Sequence, residues 1–292
     1  MKPPLFLRFD GLGDALLVNA VMHQYARENG GKVFVATRYP ELFAGTPQVV
    51  TLPTTSQRLA HQLGKLMRLV GLVDSLVYLS YQPGGPDAKM QPLPGHILSI
   101  LSAKAGVKTA PVRPVLFLRP EELRAAVLPA GDKPWIAMQS TGITTMTDNK
   151  NWFLDRFQAV ARQLRQQFRI AQFGLASDPL IENDLDLRDR ISPRRAAATL
   201  ASCRALICQE GYLMHAATAV GTPAVVIFGG FISPAESGYD VNENLFTQLD
   251  CAPCWLRTPC PYDKECMKQI SVANVLSALE KLLARHPVQN RA

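Results

Sequence analysis

The chain has 292 residues, enough for one large domain or two ordinary ones of roughly 100–200 residues each. Apolar residues make up 47% and charged residues 19%, a core-forming composition that excludes a disordered or collagen-like chain. The net charge of +7, from 31 Lys and Arg against 24 Asp and Glu, favours polyanionic neighbours, whether nucleic acid, phosphorylated substrates or an anionic membrane face, without choosing among them. Arg8 and Asp10 interrupt the first apolar stretch, and Arg68 and Asp74 interrupt residues 66–79, so none reaches the ~18 residues that cross a bilayer. Lys2 and the short apolar piece after it offer neither the h-region nor the cleavage site of a secretory signal, and the chain is expected in the cytoplasm.

The opening reads as strand, tight loop and helix. Residues 5–9 are an apolar run, Asp10-Gly11-Leu12-Gly13-Asp14 breaks it, and 15–28 carry apolar residues at helical spacing until Gly30-Gly31 stops them. A strand is predicted at 32–36, a helix at 57–72, a strand at 75–80 and a helix at 97–105. Residues 81–94, rich in Pro and Gly, form a long loop at a strand end, a place where α/β proteins often bind ligands. An extended piece at 111–120, a short helix at 121–127 and the punctuated stretch 128–134 close the first half. The alternation then restarts, with strands at 135–139, 169–173, 205–208 and 224–228, helices at 153–167, 193–202 and 212–220, and a last helix at 272–284. Short strands alternating with helices indicate parallel βαβ units. The expected organisation is two Rossmann-like domains, 1–127 and 134–292, facing a central cleft with ligands at the strand C-termini.

Three places carry chemistry, and each also fits a plain structural role. Asp14 opens the first helix, where a carboxylate suits the helix dipole or general-base work. Lys150-Asn151-Trp152 follows a strand and precedes a helix, so Lys150 either neutralises a phosphate or is a solvated lysine beside a buried ring. Glu210-Gly211-Tyr212-Leu213-Met214-His215 opens another helix after a strand, and Gly211 permits close approach of a diphosphate to the backbone. His215, about one turn into that helix, is either a ligand contact or a packed core histidine. Ser140, Thr141, Thr144 and Thr145 add hydroxyls in the loop after the strand at 135–139.

Cys251, Cys254, Cys260 and Cys266 give C-x₂-C-x₅-C-x₅-C. Four thiolates at this spacing can close a tetrahedral site around zinc or iron, or can be free or redox-active thiols, because the gaps are not those of a standard zinc finger. Cys203 and Cys208 flank a predicted buried strand and read as core residues. Basic residues at 162–169 and at Arg194-Arg195 are a solvated face or a contact to the anionic inner-membrane surface. No aromatic platform or recognised motif accompanies them, so nucleic acid is not an expected partner.

Leu7-Arg8-Phe9-Asp10-Gly11-Leu12-Gly13-Asp14-Ala15, then Lys150-Asn151-Trp152-Phe153-Leu154-Asp155-Arg156-Phe157, then 210–223 running into Val226-Ile227-Phe228-Gly229-Gly230 together resemble glycosyltransferase family 9, the heptosyltransferase family, in order and spacing. The resemblance implies a GT-B architecture, with the acceptor on the N-terminal lobe and a nucleotide-diphosphate sugar, ADP-heptose above others, on the C-terminal lobe. It implies Asp14 as catalytic base, Lys150 as the contact to the donor diphosphate and Glu210 with His215 as the segment that holds the donor; Gly211 at its helix start and the hydroxyls of Ser140 and Thr141 are donor-binding candidates by position. The cysteine segment resembles the iron motif of some members, which implies a structural ion; no metal is expected in the transfer step itself. Two departures stand out: the family more often has Asp-Ser/Thr-Gly before the histidine, and the N-terminal lobe is short for a lipopolysaccharide enzyme. The implied activity is inverting sugar transfer to a bacterial surface glycan or glycolipid precursor. A protein acceptor is the alternative within enzymes, and a catalytically silent binding module is the alternative outside them.

Overall fold

Among the described residues every paired strand runs parallel to its neighbour, because a crossover rather than a hairpin separates them. The computed structural model describes residues 2–9, 11–54, 56–82, 89–140 and 147–287. It divides into two units, 1–89 with 93–119 and 90–92 with 120–292.

The first unit runs β1 (Leu5–Arg8), α1 (Leu12–Asn29), β2 (Val33–Thr37), a 3₁₀ turn (Pro40–Phe43), β3 (Val49–Pro53), α2 (Gln57–Leu69), β4 (Leu76–Tyr78) and α3 (Ile97–Ala105). The sheet order is β3-β2-β1-β4, with Leu5 opposite both Phe34 and Leu76. Chain order reverses between β1 and β4, so the loops after these two strands diverge at their C-terminal ends and leave room there. Buried β1 is the spine of a core that includes Leu5, Leu7, Phe9, Ala36, Ala60 and Val73. One polar residue crosses this interior without penalty, since Asn19 Nδ2 donates to the Leu42 and Val115 carbonyls (3.1 and 3.0 Å) and Oδ1 accepts from Thr46 Oγ1 (2.9 Å). Helix α2 packs tightly through its smallest residues: a Cβ on Gly64 would lie 2.7 Å from Leu76 Cδ2 and 3.0 Å from Leu5 Cδ2.

The second unit runs α4 (Pro120–Arg124), β5 (Trp135–Gln139), a 3₁₀ turn (Asp148–Lys150), α5 (Leu154–Leu164), β6 (Arg169–Phe173), β7 (Leu185–Asp186), α6 (Pro193–Leu200), β8 (Ala205–Gln209), α7 (Tyr212–Ala219), β9 (Ala224–Gly229), α8 (Pro234–Ser237), β10 (Glu243–Phe246), α9 (Glu265–Lys268) and α10 (Val272–Arg285). Its sheet order is β10-β9-β8-β5-β6-β7, which again reverses, here between β5 and β8. The apolar runs 135–138, 205–208 and 224–228 are buried on both faces, as central parallel strands must be. Trp152, Phe157, Ile207, Val225, Met267, Leu279 and Leu282 belong to one core beneath α5 and α10.

The division falls between Arg119 and Pro120, earlier than the expected linker at 128–134, so α4 belongs to the second unit rather than to a 1–127 domain. The cause is a two-pronged ion pair: Arg194 Nε and Nη2 each lie 2.7 Å from an oxygen of Glu122, fastening α4 to α6. Other basic residues of this unit are also engaged. Arg162 and Arg165 pair with Glu182 and Asp184, and the Arg169 guanidinium lies 4.0 Å over the Trp135 ring while donating to the Pro129 and Ala130 carbonyls. These arginines serve the unit's own packing.

Replacing Arg194 with Ala removes charge-assisted bonds of the kind worth roughly 1.5–3 kcal/mol. Limited trypsin digestion is expected to cut Arg194→Ala after Arg124 faster than wild type, with other sites unchanged; equal rates would show that α4 is held by its backbone alone.

Candidate active site

In the first unit the candidate base lies at the strand-order reversal. Asp14 sits in the first turn of α1, after Gly11, whose φ of 55° is the left-handed conformation that glycine tolerates. A Cβ at Gly11 would lie 2.4 Å from Asp14 Oδ2, so the carboxylate folds back over the loop. Both of its oxygens are engaged: Tyr81, just beyond β4, donates its hydroxyl to Oδ1 (2.9 Å), and Arg8, at the end of β1, pairs with Oδ2 (2.6 Å). Arg8 is itself 6% exposed, donates to the Leu79 carbonyl (2.7 Å) and lies 5.3 Å from the centre of the Tyr81 ring. Asp14 keeps 18% of its side chain exposed and retains unused lone pairs for a third hydrogen bond.

The second unit gathers its charged residues at the C-terminal ends of β5 and β8, again where strand order reverses. Lys150 ends the 3₁₀ turn after β5, Glu210 follows β8, and the two form a close ion pair with side chains 16% and 10% exposed. Ser237 Oγ donates to Glu210 Oε1 (3.1 Å), and the Phe231 ring centre lies 5.6 Å from the Lys150 ammonium. Burial drives the Glu210 carboxyl upward, but the charges of Lys150 and His215 and the hydrogen bonds from Lys150 and Ser237 outweigh it and hold the group below its ordinary 4.5. His215, in α7, is buried with Nδ1 2.6 Å from the Tyr239 hydroxyl; burial and the Glu210 charge push that phenol well above 10. Gly211 caps α7, no side chain takes its first N–H groups, and a Cβ there would meet open space within 4 Å. The helix start is therefore available to an anionic group.

The remaining candidates are placed differently. Ser140 is fully buried, its Oγ donating to the Pro179 carbonyl (2.5 Å) and accepting from Gln172 Nε2 (3.0 Å), so its hydroxyl is used inside the unit. Thr141, Thr144 and Thr145 lie outside the described residues. Tyr212, at the departure from the family pattern, donates its hydroxyl to the Pro193 carbonyl (2.9 Å) and braces α6. Arg8, Tyr81, Ser237 and Tyr239 were not foreseen as site residues, though an arginine inside the apolar run 5–9 signals a buried charge that needs a partner.

Cys251, Cys254, Cys260 and Cys266 line one cavity of about 320 Å³ beside Gly230 and Asn149. Their donor chemistry fits a thiophilic ion. Among the described residues, however, no three His, Cys, Asp or Glu side chains stand close enough to hold a metal. Burial, ahead of the neighbouring thiols, pushes Cys266 up to about 11. Cys203 and Cys208 are core thiols as expected; burial pushes Cys203 up to about 12, and Cys208 is raised too. The cysteine segment is laced to the lysine loop: Asn149 Nδ2 donates to the Leu256 and Thr258 carbonyls (2.7 and 2.9 Å), and Thr147 Oγ1 to Leu256 (3.1 Å).

The sequence model of glycosyltransferase family 9 (heptosyltransferase) matches residues 86–264. No curated protein matches the chain by sequence. Among solved structures, a family 9 glycosyltransferase from Veillonella parvula DSM 2008 superposes with a TM-score of 0.74 at 15% identity, covering 97% of each chain. The dodecameric iron-containing heptosyltransferase TibC, bound to ADP-D-β-D-heptose, gives 0.72 at 15% identity over 98% of this chain and 78% of its own. The E. coli ADP-heptose lipopolysaccharide heptosyltransferase II gives 0.69 at 17% identity over 98% and 99%. At these identities the likeness is one of fold, and the fold is that of GT-B glycosyltransferases.

Removing one member of the Lys150–Glu210 pair leaves a buried charge alone, at a cost of roughly 3–5 kcal/mol. Lys150→Ala is expected to lower the melting temperature clearly, and Lys150→Met with Glu210→Gln to recover most of the loss. Because Glu210 titrates below its unfolded value, its contribution is complete above about pH 4.5 and lost as pH falls through the lower folded value. Melting curves across that range should converge for wild type and the double variant; parallel curves would mean the pair adds no pH-dependent stability.

Proposed function

The chain belongs to glycosyltransferase family 9, the heptosyltransferase family, and on that premise we propose that it transfers a heptose with inversion from ADP-heptose to a bacterial surface glycan or its lipid-linked precursor. The observation that carries this reading is the grouping of Lys150, Glu210 and His215 beside the uncapped start of α7. A lysine ammonium and a helix start that no side chain caps form a receptor for a diphosphate. The ADP-heptose in the TibC complex supports the choice of donor.

In inverting transfer the acceptor hydroxyl loses a proton as it attacks the anomeric carbon, and the nucleoside diphosphate leaves from the opposite face. Asp14 is the base in this reading. Arg8 and Tyr81 fix its two oxygens, so the carboxylate is oriented before the acceptor arrives and little reorganisation accompanies proton transfer. Lys150 and the α7 N–H groups stabilise charge that grows on the leaving diphosphate while the sugar gains oxocarbenium character. Glu210 plays two parts, holding Lys150 in place before the donor binds and offering its free lone pairs as acceptors for hydroxyls of the sugar or ribose. His215, anchored by Tyr239, offsets the carboxylate's charge.

The four cysteines are read as ligands of a structural zinc or iron ion, by likeness to the iron-containing TibC. Such an ion would hold the segment after β10 against the lysine loop.

Two measurements test these assignments. In a thermal-shift titration, ADP is expected to raise the melting temperature more than UDP or GDP, and the rise to vanish in Lys150→Ala measured against its own baseline. Asp14→Asn should keep the ADP shift yet lose about 10²–10⁴-fold in transfer rate; equal shifts with all three nucleotides, or an active Asp14→Asn, would overturn the reading. Elemental analysis of the purified protein should find iron or zinc in wild type and not in Cys254→Ser with Cys260→Ser. Metal-free, fully folded wild type would remove the structural ion.

A further inference from the structure

Helix α2 exposes what most helices bury. Its core-facing side is built from Ala60 and Gly64, with Leu63 and Met67 half-buried, while Leu59, Leu66 and Leu69 point outward. Leu59 is 47% exposed, Leu66 56% and Leu69 83%, and the turn that follows adds Val70 at 62% and Leu72 at 53%. At 100° per residue, positions 59, 66 and 70 fall within about 40° of one another and Leu69 lies beside them, so they make one stripe rather than scattered contacts. An exposed apolar stripe of this kind marks an interaction surface.

Beside the stripe, on the same helix, run Arg58, Lys65 and Arg68, none of which forms an ion pair with another described residue. The segment 56–72 contains no Asp or Glu. Arg58 and Lys65, with Gln57, His61, Gln62 and Tyr78, also line a shallow depression of about 520 Å³. The basic residues of the second unit that the sequence offered as a membrane contact are engaged within that unit, Arg162, Arg165 and Arg194 by carboxylates and Arg169 and Arg195 by backbone carbonyls, whereas on α2 cations stand uncompensated next to exposed leucines.

We infer that α2 and the turn after it, through Leu59, Leu66, Leu69, Val70 and Leu72 with Arg58, Lys65 and Arg68, dock the protein on an anionic lipid bilayer. Leucines flanked by cations suit the boundary between acyl chains and headgroups: the apolar stripe enters it, and lipid phosphates meet Arg58 and Lys65 in the depression. Charge selects this occupant over a second copy of the chain. A two-fold contact sets a patch against itself, and here it would oppose cation to cation with no carboxylate on the segment to answer them. No helix among the described residues is long and apolar enough to span a membrane, so the contact is peripheral. The inference does not rest on the donor assignment, because lipid binding is read without any sugar nucleotide.

The test is co-sedimentation of the full chain with phosphatidylcholine vesicles, with and without phosphatidylglycerol, at low and high salt. Wild type is expected to pellet with the anionic vesicles at low salt and to be released by high salt. Arg58→Glu, Lys65→Glu and Arg68→Glu combined should weaken binding about a hundredfold or more, from roughly fivefold per cation lost. Leu66→Asp with Leu69→Asp should abolish it while leaving the circular dichroism spectrum and the ADP thermal shift unchanged, since these side chains face solvent. Failure of wild type to bind anionic vesicles would overturn the inference, as would full binding by both variants. So would a wild-type oligomer that dissociates in Leu66→Asp with Leu69→Asp, which would give the stripe to a second copy.

Discussion

The ion pair between Lys150 and Glu210 is the constraint around which the second unit's functional end is arranged. Neither charge is well solvated, and each makes the other's burial tolerable. The two residues come from different elements, the 3₁₀ turn after β5 and the end of β8, so the pair also fixes the spacing of two loops that diverge at the strand-order reversal. A diphosphate entering beside Lys150 would face the Glu210 carboxylate as a like charge. The Lys150 ammonium, paired with that carboxylate, and His215, which lies near it and is held by Tyr239, are the groups that would temper this repulsion. At the position where the family more often has a shorter acid, Glu210 reaches both Lys150 and Ser237 of α8.

The same economy appears in the first unit, where Arg8 and Tyr81 converge on Asp14 from the ends of β1 and β4. These two strands are also the pair at which order reverses. Both units thus place their ionised residues at the one point of a parallel sheet where adjacent loops separate, and the backbone topology does the positioning. The side chains then hold one another, so orientation does not depend on a ligand being present.

Much of this was legible from residue order. Strands 135–139, 169–173, 205–208 and 224–228 are recovered nearly to the residue, because long apolar runs bounded by turn residues have little else to be. Strand β3 escaped notice since Val49–Pro53 is short, broken by Thr51 and ends in proline, and β10 because Glu243–Phe246 is a partly exposed edge with no apolar run. Asp14, Lys150, Glu210 and His215 could be picked from their positions at strand ends. Their partners could not, because Tyr81 and Tyr239 lie 67 and 24 residues away from the groups they bind, and nothing in the sequence announces such a pairing. Ser140 misled for the opposite reason: a serine at a strand end suits phosphate, but the carbonyl of Pro179 reaches it first.

Charge shows how far composition alone can carry an argument. A surplus of seven positive charges is compatible with phosphate binding, nucleic acid or membranes, and the structure adds which of the described cations have a carboxylate partner. Arg162, Arg165 and Arg194 are committed to Glu182, Asp184 and Glu122, where they hold elements together and contribute little field beyond the unit, while Arg156 and Arg195 are held by backbone carbonyls. Lys150, too, is balanced by Glu210, so as the proposed phosphate ligand it would draw its strength from restricted solvation and fixed geometry rather than from excess charge. On α2 no ion pair with another described residue answers Arg58, Lys65 or Arg68, and these cations stand beside leucines that the helical period places away from Gly64, the point where the helix meets Leu5 and Leu76.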